Sequence, residues 1–252
     1  MRRHIAHIRQ SDGTEQFASE HCQAVSALAA EYLASLRLAY TGRLAGLLHD
    51  MGKCTEAFDT YIRKSHAGEP VIRGSVNHTF AGVIYLFENF YTTDDVYAKL
   101  TCELTAYAVG AHHGLFDCLD EAAKIGFDHR IRKDRAEIFY EEAKENFLQE
   151  CADEEEIKEY FYKAVSEIEN LLGNLDTDKP EGSYILGLLA RIILSALADA
   201  DRSDTAAFEA GTEVEKLPAD INKIWEKQLR ALEANLRMKR DTAPINQTRA
   251  VF

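Results

Sequence analysis

Only four prolines interrupt 252 residues, and that scarcity, more than any other feature, limits what the chain can fold into. Proline breaks helices and strands alike. Where it is rare, where Ala, Leu and Glu abound and where apolar residues recur at three- and four-residue spacings, the expected fold class is all-α. No alternating strand pattern of useful length is visible. A hydrophobic share of 46% suffices for one large domain or two small ones.

The periodicity predicts helices over Thr14 to Leu36, Thr41 to Met51 and Thr55 to Ser65. Another starts at Asn77-His78, with Asn77 as its N-cap, and another spans Asp94 to His113. Charged amphipathic helices fill Leu119 to Leu172. Val25, Leu28, Ala29, Tyr32 and Leu36 form the inward stripe of the first helix; Val96, Leu100, Leu104, Ala108 and Ala111 form that of the fifth. Tyr184 to Ala198, apolar on nearly all sides except Arg191 and Ser195, reads as the central buried helix. A last helix runs from about Leu217 to Lys239, and the polar tail RDTAPINQTRAVF follows.

A formal net charge of -13 opposes long-range attraction to nucleic acid or an anionic membrane. It argues against an autonomous DNA-binding module, but not against a nuclease whose ions supply local positive charge or one fed its strand by a neighbouring domain. The one dense basic cluster, His129 to Arg135 (HRIRKDR), lacks interleaved aromatics and reads as a solvated face. Five scattered cysteines without CxxC spacing suggest neither a disulfide framework nor a thiolate zinc site. The N-terminus shows no signal peptide and no run approaches membrane-spanning length, so a cytoplasmic protein with no membrane partner is expected.

The chemistry concentrates at helix ends. LLHDMGK puts His49 and Asp50 in the last turn of a helix, with Gly52 as its stop and Lys53 beside them. His21 falls on the inward stripe of the first helix, His78 opens the apolar run HTFAGVIYLFENF, and Gly110 and Gly114 bracket the doublet His112-His113. The run LADADRSDT offers Asp199 and Asp201 at a helix C-terminus, where the dipole disfavours a carboxylate; about 200° apart, only one can face a common site. Singly, each has a plain alternative: His21 a core histidine bonded to a carbonyl, His49-Asp50 a solvated helix end, His78 a first-turn residue facing water, the doublet a surface pair. Together they offer only imidazole and carboxylate, which suits Mn, Fe, Co, Ni or Zn better than Mg or Ca. They are too many for one tetrahedral ion, whereas a two-metal site with a bridging carboxylate uses them all.

The order His21, LLHDMGK, NHTFAG, GAHHG, LADADRSDT resembles the HD nuclease of type I CRISPR systems, the HD domain or subunit of the helicase-nuclease, over about residues 15–205. The resemblance implies a single compact HD-type domain of roughly ten helices, spanning residues 1–240. It implies that residues 241–252 form a linker toward a superfamily 2 helicase core. It assigns His21, His49, Asp50 and Asp201 to one divalent transition metal, and Asp50, His78, His112 and His113 to a second, with Asp50 bridging. The pattern ADRSDT favours Asp201 over Asp199. Lys53, from HDxGK, would stabilise the phosphate or its leaving oxygen. The implied activity is metal-dependent cutting of single-stranded DNA in antiviral defence, with the helicase and a CRISPR surveillance complex as partners. The alternatives are a nucleotide or cyclic-dinucleotide phosphohydrolase of the wider HD group, which the acidic surface suits, and a non-catalytic docking domain that keeps metals for structure.

Overall fold

The computed structural model describes residues 3–72, 74–115, 126–132, 134–173, 179–215 and 221–238. The chain opens on a hairpin rather than on the expected helix: β1 (Ile5–Ile8) pairs antiparallel with β2 (Glu15–Phe17), with an irregularity between Ile5 and His7. Strands of four and three residues are too short to leave an alternating signal in a sequence. Gly13, at φ +74, turns the chain between them.

Ten α-helices follow among the described residues. The first, α1 (Ala18–Leu33), begins where Glu20 accepts the Phe17 N–H at 3.2 Å, and gives way to a 3-10 turn over Ala34–Leu36. Its expected stripe holds at Val25 and Ala29, while Leu36, beyond the helix end, is exposed. α2 (Ala39–Leu48) is short, and its first N–H groups are capped from a distance: Glu167 accepts from Tyr40 N and Thr41 N, both at 2.9 Å. α3 (Glu56–His66) is capped by Thr55, and α4 (Phe80–Phe90) starts two residues later than expected, so Asn77 is not its N-cap. α5 (Val96–Ala111) is capped by Asp95, which receives Tyr97 N and Ala98 N; Val96, in its first turn, is exposed rather than inward. The charged stretch contains α6 (Phe127–Arg130), α7 (Tyr140–Glu150) and α8 (Glu154–Leu172), while residues 116–125 of that stretch lie outside the described ones.

α9 (Pro180–Ala210) is the longest of these helices. Proline at its first turn and Gly211 in the left-handed conformation at its end delimit it. It is twelve residues longer at its C-terminal end than the apolar run suggested (198 to 210), because DRSDTAAFEA continues the helix. By length and composition it could cross a membrane, contrary to the expectation that no run approaches that length. It packs on α1 and α5 and buries Leu189, Ile193, Leu197 and Ala200.

The central element is therefore α2 and not α9: Tyr184, Ile185 and Leu188 of α9 are exposed, whereas α2 buries Leu44, Leu47 and Leu48 completely among α1, α5, α8 and α9. Gly42 and Gly46 make this possible. A Cβ at either would stand 2.5 Å from Ala29 O or 2.6 Å from Ser26 Cα, so only glycine lets α1 and α2 approach this closely.

The chain divides into two compact units, residues 1–214 and 215–252. The second contains α10 (Ile221–Met238), whose Ile224, Trp225, Leu229 and Leu232 are exposed. The expected linker, residues 241–252, lies outside the described residues.

Candidate metal centre

The end of α2 sets the site. His49 is the residue that closes the helix, Asp50 leaves helical geometry, and Met51–Lys53 form a 3-10 turn, so the chain bends directly after the pair. Gly52 does not act as a left-handed stop. Its N–H donates to His78 O at 3.1 Å, and a Cβ on it would lie 2.3 Å from that oxygen. Glycine is required there because the His78 backbone passes against the turn.

Five elements converge on Asp50. From α1, His21 Nε2 stands 3.4 Å from Asp50 Oδ2 and 3.3 Å from Asp201 Oδ1 of α9. His49 Nε2 lies 3.1 Å from Asp50 Oδ2. The other oxygen, Oδ1, faces His112 Nε2 at 3.7 Å, at the end of α5, and His78 Nε2 at 3.9 Å, on the loop before α4. His113 Nε2 in turn lies 2.9 Å from His78 Nε2. The ligand atoms of His21, His49, Asp50 and Asp201 all fall within 4.8 Å of one another, as do those of Asp50, His78 and His113, and those of His112, His113 and Asp201. Every ligand candidate singled out in the sequence is thus gathered around Asp50 except Asp199, which is exposed on α9. Asp201 reaches the site from mid-helix, so the expected helix-end dipole plays no part.

The imidazoles are oriented by their other nitrogens. His21 Nδ1 donates to Asp204 Oδ2 at 2.7 Å, His49 Nδ1 to Gly46 O at 2.8 Å and His112 Nδ1 to Val109 O at 2.6 Å. A carbonyl or carboxylate can only accept, so each Nδ1 carries the proton and each Nε2 is left to the cavity. At the cavity side, His21 Nε2 and His49 Nε2 face each other at 3.2 Å, and His78 Nε2 and His113 Nε2 at 2.9 Å. In the metal-free chain a proton on one ring bridges each pair; a cation in its place would take the lone pairs of both rings. Asp50 points the same way. Buried to 1%, it accepts no hydrogen bond of normal geometry at either oxygen, and His112 Nε2 is likewise unpartnered. The donor set fits divalent transition metals, with Asp50 offering one oxygen to each group of imidazoles.

Electrostatics divide the site. Burial acts against charge on His21, but the surrounding carboxylates of Asp201, Asp204 and Asp50 raise its pKa to about 9; His49 is raised by its carboxylate neighbours against the same burial. Asp50, although burial works the other way, is held well below the usual carboxylate range by His49 and Lys53. On the other side, burial pushes His112 down to about 3 and His78 down to about 4, so both are neutral. His78 precedes α4 rather than sitting in its first turn.

Lys53 is 5% exposed, with Nζ 2.7 Å from Asp50 Oδ2 in a charge contact. It also donates to His7 Nε2 at 3.2 Å. Burial and the Lys53 charge hold His7 neutral, its pKa at about 2. His7, Gln16 and Asp204 escaped the sequence reading. Asp204 holds His21 and accepts from Gln16 Nε2 at 2.8 Å; its signal was its place one turn after Asp201 on a helix assumed to stop too early. His7 and Gln16 lie on the unforeseen hairpin. Of the glycines around the doublet, a Cβ on Gly110 would meet the Phe127 ring at 3.0 Å, while nothing lies within 4 Å of one on Gly114. In the basic cluster, Arg135 pairs with Glu88 and stacks on Tyr140. Cys22, Cys54, Cys102 and Cys151 are free and buried; Cys118 lies outside the described residues.

The HD domain family model matches residues 18–204, from the start of α1 to Asp204, and the chain belongs to that family. HD domains are typically metal-dependent phosphohydrolases, and the His/Asp groups are suited to such a metal. No curated protein matches the sequence.

Proposed function

We propose that the protein is a two-metal nuclease that hydrolyses phosphodiester bonds of single-stranded DNA, and that it acts in CRISPR antiviral defence beside a superfamily 2 helicase and a surveillance complex. The observation that carries the two-metal reading is the buried Asp50, whose Oδ2 faces His21 and His49 beside Lys53 Nζ while its Oδ1 faces His78 and His112. DNA as substrate rests on the sequence resemblance, in particular the HH doublet and NHTFAG.

His21, His49, Asp50 and Asp201 would hold one ion, and Asp50, His78, His112 and His113 the other. The ions would supply activation of water and neutralisation of charge at phosphorus. The chain does the rest. Asp204, Gly46 O and Val109 O fix the imidazole tautomers, so no reorganisation accompanies the reaction. Lys53, beside Asp50, would meet phosphate oxygens, and His7, kept neutral, takes a hydrogen bond from it without adding charge. No Ser or Cys nucleophile is needed.

The test is cleavage of labelled single-stranded DNA with Mn or Ni by the wild type, Asp50→Ala and His49→Ala. Loss of roughly 10³-fold or more in kcat/KM, with the fold retained by circular dichroism, is expected, because several kcal/mol of charge stabilisation disappear. Full activity in both variants would remove the site. Phosphate release from mononucleotides with intact DNA would favour the nucleotide phosphohydrolase reading, which the net charge of -13 also suits.

A further inference from the structure

The metal centre opens into two clefts, of about 830 and 460 Å³, and both are bordered by His113, Gly114 and Leu115. The larger is walled by α9, which presents Arg191, Ser195, Ala198 and Arg202 at spacings of four, three and four residues. Those positions form one stripe of a helix. Arg202 adjoins Asp201, and Arg191 lies three turns further from it, roughly 16 Å from Arg202 at 1.5 Å per residue. Neither arginine has an ion-pair partner among the described residues, which is also true of Arg37 elsewhere; what sets them apart is their place along one wall of the cleft beside the candidate metal centre. In a chain of net charge -13 that wall is locally positive. On the opposite lip Leu115 is 77% exposed.

We propose that this stripe of α9 is the phosphate track of the substrate: Arg202 and Arg191 contact separate phosphates of one polynucleotide strand, at and beyond the scissile position, with bases toward Leu115. The inference rests on the strand-cutting reading above and sharpens it. The two arginines are several nucleotide rises apart, so a strand can engage both, while a mononucleotide or small diester reaches only one. Guanidinium groups serve here as phosphate contacts, which give affinity and register without sequence preference.

The experiment compares the full chain with Arg191→Ala, Arg202→Ala and Arg191→Lys, with Mn, on a 20-nucleotide single strand and on bis(p-nitrophenyl) phosphate. Each alanine variant is expected to raise KM for the oligonucleotide by about tenfold, a loss at least tenfold larger than on the small diester, and to flatten the dependence of strand affinity on salt. Arg191→Lys is expected to recover most of the loss, since it restores the charge. Arg191 stands far from the ligands, so its variants test the track even if Arg202→Ala perturbs Asp201. Equal losses on both substrates, or none on the oligonucleotide, would overturn the track. A wild-type protein that hydrolyses the diester but leaves the strand intact overturns the nuclease reading itself, a result distinct from either.

Discussion

At the scale of single residues, the site is built by second contacts as much as by ligands. Asp204 fixes the ring of His21 at 2.7 Å and accepts from Gln16. Asp204→Asn keeps the shape but can turn an N–H toward His21, and should weaken metal binding about 10–100-fold, the usual effect of losing such a partner; isothermal titration with Mn measures it, and unchanged affinity would deny Asp204 the role. Protons are coupled to the metals as well. His21 in the metal-free chain has its pKa raised to about 9, and His49 is raised too, while His78 and His112 sit at about 4 and 3. Binding needs neutral imidazole, so metal uptake at pH 7 should release roughly one to two protons, all from the His21–His49 side, and affinity should climb with pH up to about 9. Calorimetry in two buffers of different ionisation enthalpy checks this. Stability follows the opposite course. A pKa raised from 6.5 to about 9 on folding stabilises the metal-free protein fully below 6.5, and that contribution is lost as pH rises through 9. The chelated protein should therefore melt at progressively lower temperature over that interval, and a flat or rising profile would be contrary.

At the scale of elements, what was legible in the sequence depended on the range of the interaction. The candidate ligands could be picked out because they stand at the ends of long apolar runs, and α1, α2, α5 and α9 bring them together. The hairpin was not legible: seven strand residues carry no periodicity, and with them went His7 and Gln16. The centrality of α2 was hidden for another reason. Apolar content measures what a helix could bury, but burial is decided by neighbours, and the close approach of α1 depends on Gly42 and Gly46, which no hydrophobic count rewards. Gly52 was found and misread, as a helix stop rather than a point of close contact. Gly52→Ala should push the His78 backbone away from the turn, since its Cβ would meet His78 O at 2.3 Å. The expected result is loss of the second ion with the first retained, seen as one Mn per chain, together with destabilisation of about 1–3 kcal/mol; two ions bound as in the wild type would show that His78 is not held by this turn.

At the scale of the whole molecule, an acidic helical body surrounds a buried cluster of imidazoles and carboxylates that its own hydrogen bonds leave incomplete. Such a cluster costs stability unless cations fill it, which is the physical sense in which this HD domain is organised around metal. The net charge of -13 then opposes a polyanion everywhere except where bound ions and the arginines of α9 offset it, so delivery of the strand by a helicase partner is part of the proposal. The central claim is that Asp50 bridges two ions, and the most direct measurement is Mn(II) binding to the chelated wild type and to Asp50→Ala, counted per chain and followed by electron paramagnetic resonance. The account predicts two ions per wild-type chain with an exchange-coupled spectrum, and loss of the coupling in Asp50→Ala. A single ion, or two with uncoupled spectra in the wild type, would contradict it.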